Sequence, residues 1–239
     1  MFLDEFHSIT EGRVRISAEQ ASHFAKGIAG DYNPIHNPHA RRFCVPGDLL
    51  FALVLARFGL SQRMSFRFLS MVGADVPLDF RECDNDGIQV VDTTGKVYLE
   101  VEREGEGTQD MAVVEAFTRR YVAFSGKNFP HYLKPLMEQQ GVMFNPQRPL
   151  VIYDSMGFAL DRLDAPDPGL ELADSSLTVT GKRGDVLLEF RLTSRGEVIG
   201  SGSKKLVVSG LRDYDPVAME AIVEEFYRLK AAHEACNAS

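Results

Sequence analysis

The chain has 239 residues, 44% of them hydrophobic and 25% charged, the balance of a globular protein rather than a disordered one. Twenty-six basic residues against 34 acidic ones give a formal charge of −8, so the basic footprint of a general nucleic-acid binder is missing. Cys44, Cys83 and Cys236 are odd in number and lack metal-ligand spacing, which excludes a disulfide framework and a recognisable zinc site.

The acidic start, Met1 to Glu5, lacks the basic region and apolar core of a signal peptide, so a cytoplasmic protein is expected. Val14 and Ile16 alternate with Arg13 and Arg15, predicting a short strand. Ser17-Ala18-Glu19-Gln20 has capping-box spacing, and Ala21, Phe24, Ala25 and Ile28 follow at helical intervals. Gly30, Pro34 and Pro38 end that helix and leave an irregular segment over 30–43. Pro46-Gly47-Asp48 opens a second helix. Leu49 to Ala56 has no polar face, so this helix must be enclosed by other structure. The apolar stretch over 45–60 contains Asp48 and Arg57 and is short for a membrane span, so no membrane partner is expected.

Residues 66–124 read as strands and turns. Asn85-Asp86-Gly87, Thr94-Gly95 and Gly105-Glu106-Gly107 are the turn signals. Met111 to Phe124, where β-branched and aromatic residues recur, is read with these strands. The Pro- and Gly-rich segment 126–149 is a linker with a short helix around 131–140. A helical segment near 154–163 is expected next, followed by Pro166, Pro168 and Gly169. Three strands follow, over 171–180, 185–193 and 197–208, joined by hairpin turns at 181–184 and 194–196. Asp215-Pro216 supplies a cap and an N1 proline for a final helix with Ala218, Ile222, Phe226 and Leu229 as its stripe. Each half therefore reads as a helix followed by an antiparallel sheet, an α+β arrangement. The boundaries are 1–125, 126–149 and 150–239.

The segment Gly30-Asp31-Tyr32-Asn33-Pro34-Ile35-His36 carries the chemistry. Gly30 and Pro34 bracket a tight turn, and a turn can bring the Asp31 carboxylate and the His36 imidazole onto one water molecule. Such a pair suits acid–base catalysis. Asn33 reads as an amide that braces the loop. Arg42, beside Arg41, is a candidate for a ligand phosphate, with a solvated ion pair as the alternative. His39 reads as a surface residue, and Cys44 as a buried thiol. Lys182-Arg183 and Lys204-Lys205 are expected on turns and sheet edges. Tyr153-Asp154-Ser155 reads as a helix cap at Asp154, with a remnant in the second half of a loop like that of Asp31 as the alternative.

Gly30, Asp31, Asn33, Pro34, Ile35 and His36 match the hydratase signature of the MaoC-like family of R-specific enoyl-CoA hydratases, which the chain resembles. The resemblance covers the first half well and the second half by architecture. It implies a double hot-dog fold, two antiparallel sheets each wrapped round a helix, with an added C-terminal helix. It implies that Asp31 and His36 hold a water that adds to an enoyl thioester, or the reverse elimination. It makes Gly47 the backbone donor to the thioester oxygen and Leu50 and Phe51 the lining of an acyl channel, with Asn33 and Arg42 completing the substrate contacts. The substrate would be an acyl-CoA or acyl-carrier thioester, with no further cofactor and no metal. One site per chain is expected, the second half forming a wall of the cleft, and a homodimer is compatible with this. The chain departs from the family pattern at Ala29, Pro38 and Pro46, and its enclosed helix has no polar residue over 49–56. Those departures give an alternative reading, a non-catalytic protein that binds acyl thioesters or lipids, and a third in which the fold and the last helix serve assembly alone.

Overall fold

The computed structural model describes residues 2–84, 86–147, 149–165 and 167–237. Short strands β1 (Ser8–Thr10) and β2 (Arg13–Arg15) form a hairpin before helix α1 (Ala18–Phe24). The predicted capping box is present: the Ser17 hydroxyl accepts from the Gln20 N–H at 3.2 Å and the Ser17 N–H donates to Gln20 Oε1 at 3.0 Å. Helix α2 (Gly47–Phe58) is enclosed as its apolar sequence requires, with every residue from Asp48 to Leu55 buried, and it ends at Gly59, whose φ is +82°.

Four strands of the first half follow: β3 (Leu60–Phe68), β4 (Leu78–Glu82), β5 (Ile88–Asp92) and β6 (Val97–Thr108). Gly105-Glu106-Gly107 is not a turn but part of β6. The pairing of β3 with β6 slips between Ser61 and Arg63 there, and Gly105 has φ +80°, the signature of a bulge rather than a chain reversal. Asn85 and Pro166 lie outside the described residues.

Two whole elements also differ from expectation. Met111–Ala123 is helix α3, not a strand. Asp110 caps it by accepting from the Ala112 N–H at 2.9 Å, and Val114, Phe117, Thr118, Tyr121 and Val122 form its buried stripe. Burial at three- and four-residue intervals outweighs the strand preference of its β-branched and aromatic side chains. The segment near 154–163 is not a helix. After helix α4 (Leu133–Gln139) and strand β7 (Val142–Met143), residues Leu150–Leu160 form strand β8, with Met156, Phe158 and Leu160 inward at a period of two. The hairpin-connected strands β9 (Pro168–Thr180), β10 (Arg183–Ser194) and β11 (Glu197–Ser209) follow as the turn signals predict. Strand β12 (Arg212–Asp213) pairs with β7, and helix α5 (Pro216–Asn237) closes the described chain. Asp215 Oδ1 caps α5 through the N–H groups of Val217 and Ala218, at 3.0 and 3.1 Å.

The architecture is mixed α+β, with helices packed on a large antiparallel sheet. The halves do not keep separate sheets. Strand order is β1-β2-β4-β5-β6-β3-β8-β11-β10-β9, ten strands in one antiparallel sheet. The seam is the pairing of β3 with β8, from Arg63 opposite Ala159 to Arg67 opposite Ser155. The outward edge of each half's sheet is thereby satisfied by the other, which removes two exposed edges. Helices α2 and α3 share one hydrophobic core with both halves. Among the described residues, no helix is long and apolar enough to cross a membrane, and no group of His, Cys, Asp and Glu side chains could hold a metal ion.

Candidate functional site

The segment after α1 continues as one wide helical turn over Ala25–Ala29 and is stopped by Gly30, at φ +65°. Asp31 then faces back across its own loop: its Oδ1 accepts from the Asn33 N–H at 2.9 Å. Asn33 Oδ1 accepts from the Ile35 N–H at 3.3 Å, and its Nδ2 donates to the Val151 carbonyl on β8 at 2.9 Å. Asn33 is thus the brace that the sequence suggests, and it ties the loop to the second half. Gly126, just beyond α3, abuts the same loop. A Cβ there would lie 2.7 Å from the carbonyl oxygens of Ala29 and Gly30, so any larger residue would push the two segments apart.

Pro34–His36 form a single 3-10 turn that carries the imidazole back toward Asp31. His36 Nδ1 lies 2.7 Å from the Cys44 carbonyl. A carbonyl only accepts, so Nδ1 carries the proton and Nε2 points at Asp31. Nε2 and Asp31 Oδ2 are 3.6 Å apart, with side-chain exposures of 9% and 23%. That gap is longer than a direct hydrogen bond. Burial pulls the His36 pKa down more than any other single influence. The nearby Asp31 carboxylate, the Cys44 carbonyl and the charge of Asp48 together outweigh it and hold His36 above its ordinary value.

Both groups line a cavity of about 720 Å³, within the size range of small-molecule sites. Asn33, Gly47 and Leu50 line the same cavity. Five of the residues singled out in the sequence are therefore brought together. Two are not. Phe51 is fully buried in the core, its ring stacked on Tyr121 at 4.5 Å, because one step along α2 turns a side chain away from its neighbour's direction. Arg42 is exposed and does not line the cavity, and His39 is likewise exposed. Cys44 does line it, and burial pushes its thiol up to about 11.

The linker and the second half supply much of the wall. Phe129 and Phe144 contribute from the segment between α3 and β8, and Ile222, Phe226 and Leu229 from α5. Phe226 packs edge-on against Tyr32 of the motif loop, ring centroids 5.4 Å apart. Ser125, Asn128 and Tyr153 add polar lining that the sequence reading did not find. Tyr153 OH donates to Ser125 Oγ at 2.6 Å and accepts from Asn128 Nδ2 at 3.0 Å.

Behind this wall lies Lys204, which was expected at a sheet edge. It sits on the inner strand β11 with no exposure. Its Nζ lies 2.9 Å from Ser125 Oγ, 3.1 Å from the Tyr121 carbonyl and 3.4 Å from Asp48 Oδ1. The signal was available: stepping back by twos from the buried Val208 and Leu206 puts Lys204 on the inward face.

An α+β protein with one continuous antiparallel sheet and an apolar cavity holding a carboxylate–imidazole pair is the class that fold and site define. The chain belongs to the family described as "Protein of unknown function (DUF3581)", whose model matches residues 1–217. No curated protein matches it. Among solved structures, it is similar to the acyl-CoA thioesterase II TesB2 from Mycobacterium marinum, at 12% identity and TM-score 0.46, over 90% of this chain and 100% of that one. It is also similar to a MaoC-like dehydratase from Phytophthora capsici, at 12% identity and TM-score 0.40, over 89% of this chain and 98% of that one. At such values the likeness assigns neither activity nor residue roles.

Proposed function

We propose that the protein is a hydratase or dehydratase of enoyl and 3-hydroxyacyl thioesters, built on a double hot-dog architecture whose two sheets are joined edge to edge into one. The observation that carries this reading is the pair Asp31 Oδ2 and His36 Nε2, 3.6 Å apart on the wall of an apolar cavity. One water molecule placed against both groups has a base and an acid beside it. The Asp31 carboxylate takes a proton from the water as the water oxygen bonds to C3 of the enoyl thioester. The electrons of the double bond move onto the thioester oxygen. Gly47 is the first residue of α2, and its N–H, unpaired within the helix and reinforced by the helix dipole, holds that charge. The imidazolium N–H of His36 then delivers a proton to C2, and the carbonyl reforms. The raised pKa of His36 supports this assignment, because it favours the protonated ring. A proton passing from Asp31 to His36 resets the pair. Run backwards, the same steps remove water from a 3-hydroxyacyl thioester. Leu50, Phe68, Phe129 and Phe226 would hold the acyl chain away from water.

The test is hydration of trans-2-enoyl-CoA of graded chain length, followed by loss of the conjugated absorbance. The expected result is turnover by the wild type and none by Asp31→Asn or His36→Ala. Absence of turnover at every chain length refutes the hydratase reading. Tight binding of saturated acyl-CoA without turnover would leave the non-catalytic alternative in its place.

A further inference from the structure

Lys204 is a fully buried ammonium on a central strand, and nothing in the hydration scheme uses it. A buried charge is costly unless every donor has a partner. Here all three N–H groups have one: Ser125 Oγ, the Tyr121 carbonyl and Asp48 Oδ1. The rings of Tyr121, Tyr153 and Phe124 close round it at 4.5, 5.4 and 5.8 Å.

An ammonium only donates, so the direction of each bond beyond it is fixed. Ser125 Oγ accepts from Lys204 and from Tyr153, which leaves its own proton free to turn toward the Asp48 carboxylate, whose ionised form Ser125 favours. Tyr153 has spent its proton and must accept from the Asn128 amide. Ser125, Tyr153 and Asn128 all line the cavity. The Tyr153 ring also abuts the start of α2, where a Cβ on Gly47 would lie 3.3 Å from Tyr153 Cδ2. A rigid path therefore runs from β11 through β8 to the cavity wall beside Gly47.

We propose that Lys204 is a positioning residue of this site: it fixes the Ser125–Tyr153–Asn128 wall and anchors the Asp48 carboxylate in the first turn of α2, so that the second half of the chain sets the surroundings of Asp31 and His36. The charged groups facing it are Asp48 from α2 and, farther off, Asp31 from the motif loop. Those facing His36 are Asp31 and Asp48. Burial drives Lys204 and Asp48 toward their neutral forms, and each draws the other back toward charge. Asp48 in turn favours the imidazolium of His36.

The inference rests on the hydratase reading for its kinetic readout only. The experiment uses the full chain with both charges removed, Asp48→Asn with Lys204→Met, so that neither is left unpaired in the core. The His36 ring is followed by NMR through a pH titration, its signal assigned by its loss in His36→Ala. The expected result is a lower titration midpoint for His36 in the double variant, with a kcat for enoyl-CoA hydration about tenfold or more below wild type and a pH profile displaced in the same direction. A folded double variant whose His36 titrates as in wild type overturns the inference. Should the double variant fail to fold, Lys204→Gln, which keeps hydrogen-bond donors but not the charge, is read by the same midpoint: loss of a cation by itself would raise it, so a fall comes through Asp48, and a midpoint unmoved or raised overturns the inference. If the wild type hydrates no thioester while the midpoint still falls, the hydratase reading fails and the role of Lys204 stands. If hydration is normal and the midpoint is unmoved, the role of Lys204 fails alone.

Discussion

Replacing Asp31 with asparagine isolates the interaction on which the proposed chemistry depends. The size of the side chain is kept, and the new amide oxygen can still accept from the Asn33 N–H as the carboxylate does. What is lost is a carboxylate facing a buried imidazole across 3.6 Å. Opposite unit charges about 4 Å apart attract by about 4 kcal/mol at the effective dielectric near a protein surface; desolvation takes back part of that, leaving about 1.5–3 kcal/mol, and neither partner is exposed enough here for water to screen most of it away. The sign with pH follows from His36. In the wild type its pKa is raised in the folded state, so its stabilisation is complete below the unfolded value of 6.5 and is lost as pH rises through the folded value. In Asp31→Asn burial is opposed less, and the new amide N–H favours the neutral ring. The His36 pKa then falls, and the variant lacks the stabilisation that wild type gains as pH drops. Urea denaturation across the histidine range should therefore show a deficit of about 1.5–3 kcal/mol on the acid side, shrinking toward neutrality and above. A deficit that is flat with pH, or larger on the alkaline side, would refute the pairing of Asp31 with an imidazolium.

Three further outcomes are expected. At neutral pH a disulfide reagent should label Cys83 and Cys236, both exposed, at once, and Cys44 only on unfolding, since it is buried with its thiol pushed up to about 11; prompt labelling of all three would place Cys44 in open solvent. Gly47→Ala sets a Cβ 3.0 Å from Phe68 Cε1 and 3.3 Å from Tyr153 Cδ2, so the cavity wall must give way; a stability loss of about 1–3 kcal/mol and weaker binding of saturated acyl-CoA by calorimetry are expected. Phe51→Ala should cost about 3–5 kcal/mol without changing acyl-length preference, whereas Phe226→Ala should move that preference toward longer or bulkier chains, read by kcat/KM across the enoyl-CoA series.

What the sequence made legible was local. The capping box at Ser17, the enclosed helix after Gly47, the hairpins at 181–184 and 194–196 and the Asp215 cap each depend on residues a few positions apart, and each is present. The motif loop was legible for the same reason, since Asp31 and His36 are joined by one turn. The misread elements were those in which two local signals compete. In Met111–Ala123 the side-chain types favour a strand while the spacing of Val114, Phe117 and Tyr121 favours a helix, and the spacing prevails because it is what buries them. In Leu150–Leu160 the Asp154-Ser155 pair imitates a helix cap, but Met156, Phe158 and Leu160 keep the alternation of a strand.

Lys204 belongs to a different kind of omission. Its partner Asp48 is 156 residues away, and no pattern within either segment announces the other. The contact exists because β3 and β8 pair as the seam of one sheet. That seam sets β11, the next strand beyond β8, behind the start of α2. A lysine on the inward face of β11 then needs a carboxylate within reach to answer its charge, and Asp48 is the one polar side chain in the run from Asp48 to Ala56 that could supply it. The two residues are therefore conditional on each other: either one alone would be a buried, unanswered charge, costing about 3–5 kcal/mol. Joining the halves edge to edge gives the enclosed helix, apolar from Leu49 to Ala56, a buried ion pair in its first turn, behind the wall of the candidate site.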